Sequence, residues 1–321
     1  MIRYITQRAI AFLPTLFGVS VLIFLAIRLV PGDSIVAMLG TEAGMLTEAQ
    51  RASLEAYFGL DKPPVEQYVV WLGNAVQGNL GLSVRHGAPV LDVILSRFPV
   101  TFQLALMSLT IALIIGVPIG VLSAVRHNSF IDLIGRLLAL IGLATPAFLL
   151  GTLIIYVLSV YFRYLPNSGR YVALADDPLV NFQQMIFPAF TLGFPFAASV
   201  MRTTRSAMLE IMGQDYVRTA RSKGLRENTV VRRHALRNAL IPVITLVGVE
   251  LGYLLGGTVI VEEIFTLPGI GRLVYNAISQ RDYALVQGIA LFVAFNFILI
   301  NLLVDLIYTA IDPRVSYVKA A

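Results

Sequence analysis

The stretch QDYVRTARSKGLRENTVVRRHALRNALIP, residues 214–242, concentrates positive charge between two long apolar runs. Nine of the 24 Lys and Arg residues lie in the 36 positions from Arg202 to Arg237, although only 13% of the chain is charged and 57% is hydrophobic. With a mean hydropathy of +0.78, the chain has too little charge to cover the surface of a water-soluble globule. We therefore predict that lipid is its main solvent and that this stretch is one of its water-exposed loops.

Six apolar runs are candidates for membrane-spanning helices. A hydrocarbon core of about 30 Å needs roughly 20 apolar residues in a helix. The runs lack the two-residue alternation of barrel strands, so the predicted fold class is an all-α membrane protein with six transmembrane helices. The fourth run contains Pro188 and Pro195, and its helix is expected to continue past Arg202 into water. The six runs are Ala9 to Val30, Val100 to Val125, Leu137 to Phe162, Ile186 to Val200, Ala239 to Val261 and Leu285 to Ile311.

The distribution of charge over the loops predicts the orientation. With a cytosolic N-terminus, the inner segments carry 15 cations and 5 acids, the outer segments carry 9 cations and 12 acids, and Glu250 and Asp305 fall within spans. The positive-inside rule then places both termini in the cytosol. A single transmembrane domain would cover residues 1–321, with an extracytoplasmic loop at 31–99 and a cytosolic loop at 201–238. The pI near 9.5 is explained by this topology and does not indicate nucleic-acid binding.

Several kinds of chemistry are excluded or made improbable by the residues present. Cysteine is absent, and His86, His127 and His234 lie in different loops, so no metal site is predicted. The phosphate-binding pattern G-x-x-x-x-G-K-[ST] is absent, as are H-E-x-x-H and G-x-S-x-G. We therefore predict no catalytic residues and no bound cofactor, and an intramembrane hydrolase is the least favoured alternative. If transport depends on ATP, another polypeptide hydrolyses it.

Within the charged stretch, local signals predict a two-turn helix. Asp215 is a suitable N-cap, Lys223 complements the negative end of the helix dipole, and Gly224 can adopt the left-handed stop conformation. Tyr216, Val217 and Ala220 share one face. Eight residues span only about 12 Å and do not hold a helix alone in water, so this helix must pack against something.

A second helix is expected to begin at Asn228 or Thr229 and to run into the fifth span. Its arginines, Arg232, Arg233 and Arg237, can reach lipid phosphates while their stems lie along the apolar boundary. The simplest interpretation of the charge is therefore topological anchoring at the membrane lipid. Anchoring does not explain why a short capped helix ending in glycine precedes these residues.

Motifs along the whole chain resemble one family of transport proteins. They are IRYITQRAIAFLPTLFGVSVLIFL at 2–25, PGD at 31–33, GLDKPPVEQYVVWL at 59–72, GNLGLS at 78–83, VEEIFTLPGIGRL at 261–273, RDYALVQ at 281–287 and IDPR at 311–314. Their order is similar to that of the permeases of bacterial binding-protein-dependent ABC importers, in the branch for dipeptides, oligopeptides, nickel and glutathione. That superfamily carries Glu-Ala-Ala in a cytosolic loop, with glycine four residues after the last alanine. Here Arg218-Thr219-Ala220 and Gly224 take that place, so two of the three named residues differ.

The resemblance implies a type I ABC importer permease in the bacterial inner membrane. It implies pairing with a homologous second permease, two ATPase subunits that bind ATP and magnesium, and an extracytoplasmic solute-binding protein. The short helix would be the coupling helix seated in an ATPase groove. The predicted coupling residues are Asp215, Tyr216, Val217, Arg218, Ala220, Arg221 and Gly224.

Other residues keep two interpretations each. Gly248, Gly252 and Gly256 repeat every four residues and predict close helix packing, either within the subunit or against a partner. Glu250 lies mid-span, where an unpaired charge costs at least about 2.5 kcal/mol, so it either lines the pathway or forms an internal hydrogen bond. The turn at Leu267, Pro268 and Gly269 either docks the binding protein or simply joins two helices.

The function is therefore expected to be ATP-driven import, with this chain forming half of the pathway for di- or oligopeptides. A nickel chelate or glutathione as the solute remains an alternative on the same architecture. Glu250 and Asp305 motivate a rival from another class, an ion-coupled secondary transporter or channel. Such a transporter usually shows paired repeats or interrupted helices around its site, and neither is evident in this sequence.

Overall fold

The computed structural model describes residues 2–29, 47–50, 53, 62–256 and 258–311. Its regular structure begins with helix α1, Ile2–Arg28, followed by α2, Pro64–Val76, and a short antiparallel hairpin of β1, Leu82–Ser83, and β2, Ala88–Pro89. The other elements are helical: α3 Val90–Val125, α4 Phe130–Ala144, α5 Ala147–Phe162, α6 Pro178–Met212, α7 Asp215–Ser222, α8 Glu227–Thr229, a π-helical segment Val230–Ala235, α9 Leu236–Leu255, α10 Val259–Ile264, α11 Ile270–Ser279 and α12 Tyr283–Ile311.

Among the described residues, four helices are long and apolar enough to cross a membrane. They correspond to predicted spans two, four, five and six. They are α3, α6, the helix running from Glu227 to Leu255, and the Tyr283–Val304 part of α12. The second span starts earlier than predicted, because α3 is helical from Val90, so the last ten residues of the predicted 31–99 loop belong to this helix. The fifth ends earlier, at Leu255, and Val259–Ile264 is a separate helix.

The predicted third span, from Leu137 to Phe162, is wrong as a single helix. The chain forms α4 and α5, which meet at a bend of 97° and amount to one broken span at most. Pro146 sits at the bend as the N-cap of α5, where its ring restricts Thr145 to an extended conformation. In the first predicted span, the described apolar part, Phe12–Ala26, is shorter than a membrane crossing. Six crossings therefore remain a prediction.

The centre of the fold is the packing of α3 against α6 through glycines. A Cβ atom at Gly116 would lie 2.6 Å from the Ala197 carbonyl oxygen, and one at Gly193 would lie 2.8 Å from the Ser108 carbonyl oxygen. Because real Cβ atoms do not approach that closely, only glycine permits this separation of the two backbones.

An ion pair joins the bend between α3 and α4 to α6. Arg205 donates from Nε to Asp132 Oδ1 at 2.7 Å and from a terminal nitrogen to Asp132 Oδ2 at 2.9 Å. Asp132 also accepts from the Asn128 backbone amide at 3.1 Å and is fully buried. A buried carboxylate that is bound on both oxygens fixes the start of α4 against α6.

A second buried carboxylate organises the segment between α10 and α11. Glu262 accepts a hydrogen bond from Thr101 Oγ1 at 2.8 Å and another from the Arg272 backbone amide at 3.0 Å. Thr101 Oγ1 in turn accepts from the Ile270 amide at 2.8 Å. The TLPGIG turn is therefore folded around the Glu262 side chain and tied to α3.

Candidate coupling site between α6 and α9

Helix α7, Asp215–Ser222, forms where the sequence predicts a short loop helix. Its N-cap is Gln214, one residue before the predicted Asp215, which is the first helical residue. Gly224 has a φ of +75°, the left-handed conformation expected of the stop residue, and its amide donates to the Arg221 carbonyl at 2.9 Å. The local signals thus predicted the position of this helix to within one residue.

One face of α7 is buried against its own chain. Val217 and Ala220 pack with Val230 of the π-helical segment and with Ile211 of α6. Val217 and Val230 have no exposed surface. Val217 and Ala220, two of the predicted coupling residues, therefore offer almost no side-chain surface to another protein. Their packing explains how so short a helix is held.

Polar contacts hold both ends of α7 to the helix that enters the fifth span. Near the N-terminal end, Asn238 Nδ2 donates to Tyr216 Oη at 2.9 Å. Near the C-terminal end, Arg221 binds both carboxylate oxygens of Glu227, at 2.7 and 3.1 Å. Hydrogen bonds from Arg221 lower the pKa of Glu227, which lies in the predicted cytosolic loop, before the apolar run begins.

The other face of α7 is open to solvent and charged. The side chains of Asp215 and Arg218 are 97% and 71% exposed, and Tyr216 is 44% exposed. Gly224, just beyond the helix, has no neighbouring atoms where a side chain would be. The helix thus presents a polar surface with a half-exposed aromatic ring, a composition typical of protein interfaces.

The expected second helix is present and continuous with the fifth span. It starts at Glu227, passes through the π-helical segment and continues as α9. The wider turn of a π-helix inside an α-helix is uncommon and is frequent at functional sites. Arg232, Arg233 and Arg237 are exposed along it.

The predicted packing glycines lie against α12 of the same chain. Gly248 faces Val304, a Cβ at Gly252 would be 2.9 Å from the Phe297 ring, and one at Gly256 would be 3.6 Å from Val293. Of the two interpretations, the contact within the subunit is the one that the structure contains. Glu250 on the same helix is half-buried and has no hydrogen-bond or ion-pair partner among the described residues. The side chain of Asp305 lies outside the described residues.

The predicted docking turn is mostly interior. Leu267 is fully buried, and Gly269 is packed directly against the Glu262 carboxylate. Pro268 is half-buried, and Thr266 is the exposed residue of the turn. Val84, Arg85 and His86, at the tip of the β1–β2 hairpin in the predicted extracytoplasmic loop, are more exposed than this turn. The Ser83 hydroxyl at the base of this hairpin donates to Asp282 Oδ2 at 2.5 Å.

Within the described part of the chain, no group of three or more His, Asp or Glu residues is placed to hold a metal ion. The candidate site is the exposed face of a helix that the chain itself holds in place.

Comparison with known proteins identifies the family. Residues 116–317 match the model of the binding-protein-dependent transport system inner membrane component, and residues 1–105 match its N-terminal companion. The chain belongs to this family. It is 43% identical, over 98% of its length and 99% of the relative's, to a Brucella suis protein named as a peptide permease protein. It is 42% identical to the glutathione transport system permease protein GsiC of Escherichia coli K12, over 99% of this chain and 100% of the relative.

The fold comparison agrees with this family. A chain of the MetNI methionine ABC transporter, in an inward-facing conformation, matches with a TM-score of 0.52 and 20% identity, covering 69% of this chain and 97% of the other. As a binding-protein-dependent permease, the chain is a multi-pass protein of the bacterial plasma membrane and a transport subunit, not an enzyme. The family implies an ATPase and a binding protein as partners, and it does not favour the ion-coupled alternative.

Sequence reasoning missed the side chains that hold the permease's α7 and α4 in place. Nothing near Asn238 or Arg205 in the sequence predicts their contacts, because their partners Tyr216 and Asp132 are 22 and 73 positions away. One signal was available: Ser129 and Asp132 have the capping-box spacing, and Ser129 Oγ does accept from the Asp132 amide, at 3.4 Å. No comparable local pattern marks Asn238.

Proposed function

We propose that this chain is the permease subunit of an ATP-driven importer and forms half of a translocation pathway with a homologous second permease. In this proposal two ATPase subunits bind ATP and magnesium, and the permease itself binds no cofactor. Helix α7 is the coupling helix, and it sits in a groove of one ATPase subunit. Closure of the ATPase pair on ATP then moves α7 as a rigid body and switches the pathway between inward-open and outward-open states.

The observation that carries this proposal is the division of α7 into two faces. Val217 and Ala220 fix the helix to its own subunit, while Arg218 and Asp215 are exposed on the outer side. A helix that is anchored on one side and polar on the other is suited to transmit displacement from a soluble partner. The arginines supply charge pairing at a polar rim, and the half-exposed Tyr216 ring supplies an aromatic anchor.

The names of the relatives favour peptides or glutathione as the transported solute. The names of the Brucella suis and Escherichia coli relatives are peptide permease and glutathione permease, and both match nearly the whole chain. Both kinds of solute contain peptide bonds and an α-ammonium group. We propose that Glu250 lines their path, because its carboxylate has no partner within the described part of the subunit and an ammonium group could pair with it.

For the extracytoplasmic binding protein, we propose a contact that includes the hairpin tip and the exposed edge of the TLPGIG turn. Val84, Arg85 and His86 project on the hairpin, and Arg85 Nε donates to the Gln280 carbonyl at 3.4 Å, close to the end of α11. Pro268 and Thr266 add a smaller exposed area. Leu267 and Gly269 have a supporting role here, since they hold the turn from inside.

Charge reversal on the outer face of α7 tests the ATPase contact. Arg218→Glu should reduce co-purification of the ATPase subunits about tenfold, because a rim charge that meets its own sign costs on the order of 1 kcal/mol or more. The buried face is untouched, so the amount of permease in the membrane should stay the same. The measurement is the ratio of ATPase to permease after purification of the whole complex in mild detergent.

The matched control is Arg126→Glu, which makes the same charge change on an exposed residue of another loop that is predicted to be cytosolic. It should leave the ratio near that of the unmodified complex. Equal losses in both variants would mean that the overall cytosolic charge, not the seating of α7, controls assembly.

A further inference from the structure

The contacts of α7 are distributed unequally between its two neighbouring helices. Arg221 reaches Glu227, Val217 and Ala220 reach Val230, and Tyr216 reaches Asn238. All three partners belong to the continuous helix from Glu227 to Leu255. The two helices thus lie side by side in opposite directions, joined by the turn at Gly224.

The connection to α6 is weaker. It consists of the Ile211 side chain in the shared cluster and the exposed residues Gly213 and Gln214, whose amides donate to the carbonyls of Glu210 and Ile211. Among the described residues of α7, no side chain forms a hydrogen bond or ion pair with α6. A displacement of α7 is therefore expected to carry the start of the fifth span with it more than the end of the fourth.

The fifth span is weakened on both sides of Asn238. The π-helical segment ends at Ala235, and Pro242 follows Asn238 by four residues. Proline has no amide hydrogen, so the Asn238 carbonyl lacks its usual helical donor, and both features are recognised sites of bending. Motion that enters the helix at Glu227 or Val230 can thus be lost by bending before it reaches the membrane.

The hydrogen bond between Asn238 and Tyr216 bypasses the π-helical part of this weak region. Glu227 precedes the π-helical segment, Val230 begins it, and Asn238 follows it. Among the described residues of α7, Tyr216 is the one whose side chain forms a hydrogen bond with a residue that follows the π-helical segment. We propose that Tyr216 and Asn238 form a transmission contact that makes α9 move together with α7. This inference rests on the proposed function, and both residues act as positioning residues for transport.

A double-mutant cycle tests the transmission contact in the complete complex reconstituted with its binding protein. Tyr216→Phe removes one hydroxyl and keeps the ring, while Asn238→Ala removes the donor. The measured quantity is the number of solute molecules imported per ATP hydrolysed. Each single variant should lower this ratio roughly two- to tenfold, the factor that corresponds to the loss of one hydrogen bond. The double variant should lower the ratio no further than the single variant with the larger loss, because both substitutions remove the same contact.

The control is Thr152→Val on α5, outside the coupling helix, because the Thr152 hydroxyl donates to the Phe148 carbonyl within its own helix. This variant should keep the ratio of the unmodified complex. Losses that multiply in the double variant, or single variants with an unchanged ratio, would overturn the transmission contact. Failure of the unmodified chain to associate with an ATPase would instead overturn the proposed function, so the two failures are distinguishable.

Discussion

Glu262 is a fully buried carboxylate whose hydrogen bonds connect three separate segments of the chain. Thr101 belongs to α3, Arg272 to α11, and Gly269 packs directly on the carboxylate. The neighbouring Glu263 is different, because its side chain is 43% exposed and pairs with Arg272 at 3.1 Å. Of these two adjacent glutamates, Glu262 is therefore expected to contribute more to the stability of the fold than Glu263, although the sequence does not distinguish them.

Replacing Glu262 should destabilise the protein through the groups it leaves unpaired. In Glu262→Ala the Arg272 amide loses its acceptor and the Thr101 hydroxyl loses the carboxylate, at about 1–3 kcal/mol for each unsatisfied buried group. Glu262→Gln keeps one acceptor oxygen and should lose less. The midpoint of thermal unfolding in detergent measures the effect.

Glu263→Gln is the matched control, since a partly exposed ion pair contributes about 1 kcal/mol at most. The order of midpoints should be Glu263→Gln highest, then Glu262→Gln, then Glu262→Ala. If Glu262→Ala and Glu263→Gln unfolded at the same midpoint, the buried hydrogen bonds of Glu262 would have no role in stability.

At the scale of elements, glycine decides how closely the two central helices approach. Gly193 in α6 faces the backbone of α3, and even a methyl group there would meet both the Ser108 carbonyl oxygen at 2.8 Å and the Ile111 side chain at 3.1 Å. Gly18, also helical, has no atom within 4 Å of such a methyl group.

These two glycines give a matched pair of substitutions. Gly193→Ala should push α3 and α6 apart and lower stability by about 1–3 kcal/mol, the usual cost of overpacking. Gly18→Ala should cause no loss, because alanine is the better helix former and nothing obstructs it. The measurement is the midpoint of thermal unfolding of each variant in the same detergent. Equal midpoints for the two variants would show that α3 and α6 accept the extra methyl group without strain.

How far the elements can be predicted depends on whether their signals are local. The position of α7 and its left-handed Gly224 follow from capping and stop residues, which act within one or two turns. The continuation of α6 to Met212 follows from the absence of a breaker after Val200. Pro146 is a local signal for the bend between α4 and α5. Hydropathy alone does not show the bend, because the apolar run continues across it. The partners of Tyr216 and Asp132 depend on how distant helices pack, and no spacing in the sequence encodes that.

At the scale of the whole molecule, orientation in the membrane is set by where the cations lie. Each Lys or Arg is costly to move across the bilayer, so the segment from Arg202 to Arg237, with nine of them, is expected to stay in the cytosol. The coupling proposal requires the same orientation, because an ATPase that uses cellular ATP must reach α7 from the cytosolic side.

Single cysteines can test this orientation directly, since the chain has none of its own. Ser222→Cys, on the exposed end of α7, should react with a membrane-impermeant maleimide in inside-out vesicles and not in right-side-out ones. His86→Cys, at the exposed hairpin tip, should show the opposite pattern. Ser83 is unsuitable for this purpose, because its side chain is fully buried against Asp282 and a thiol there would be shielded on either side. Labelling of Ser222→Cys from the outer side would remove the basis for any contact between α7 and a cytosolic ATPase.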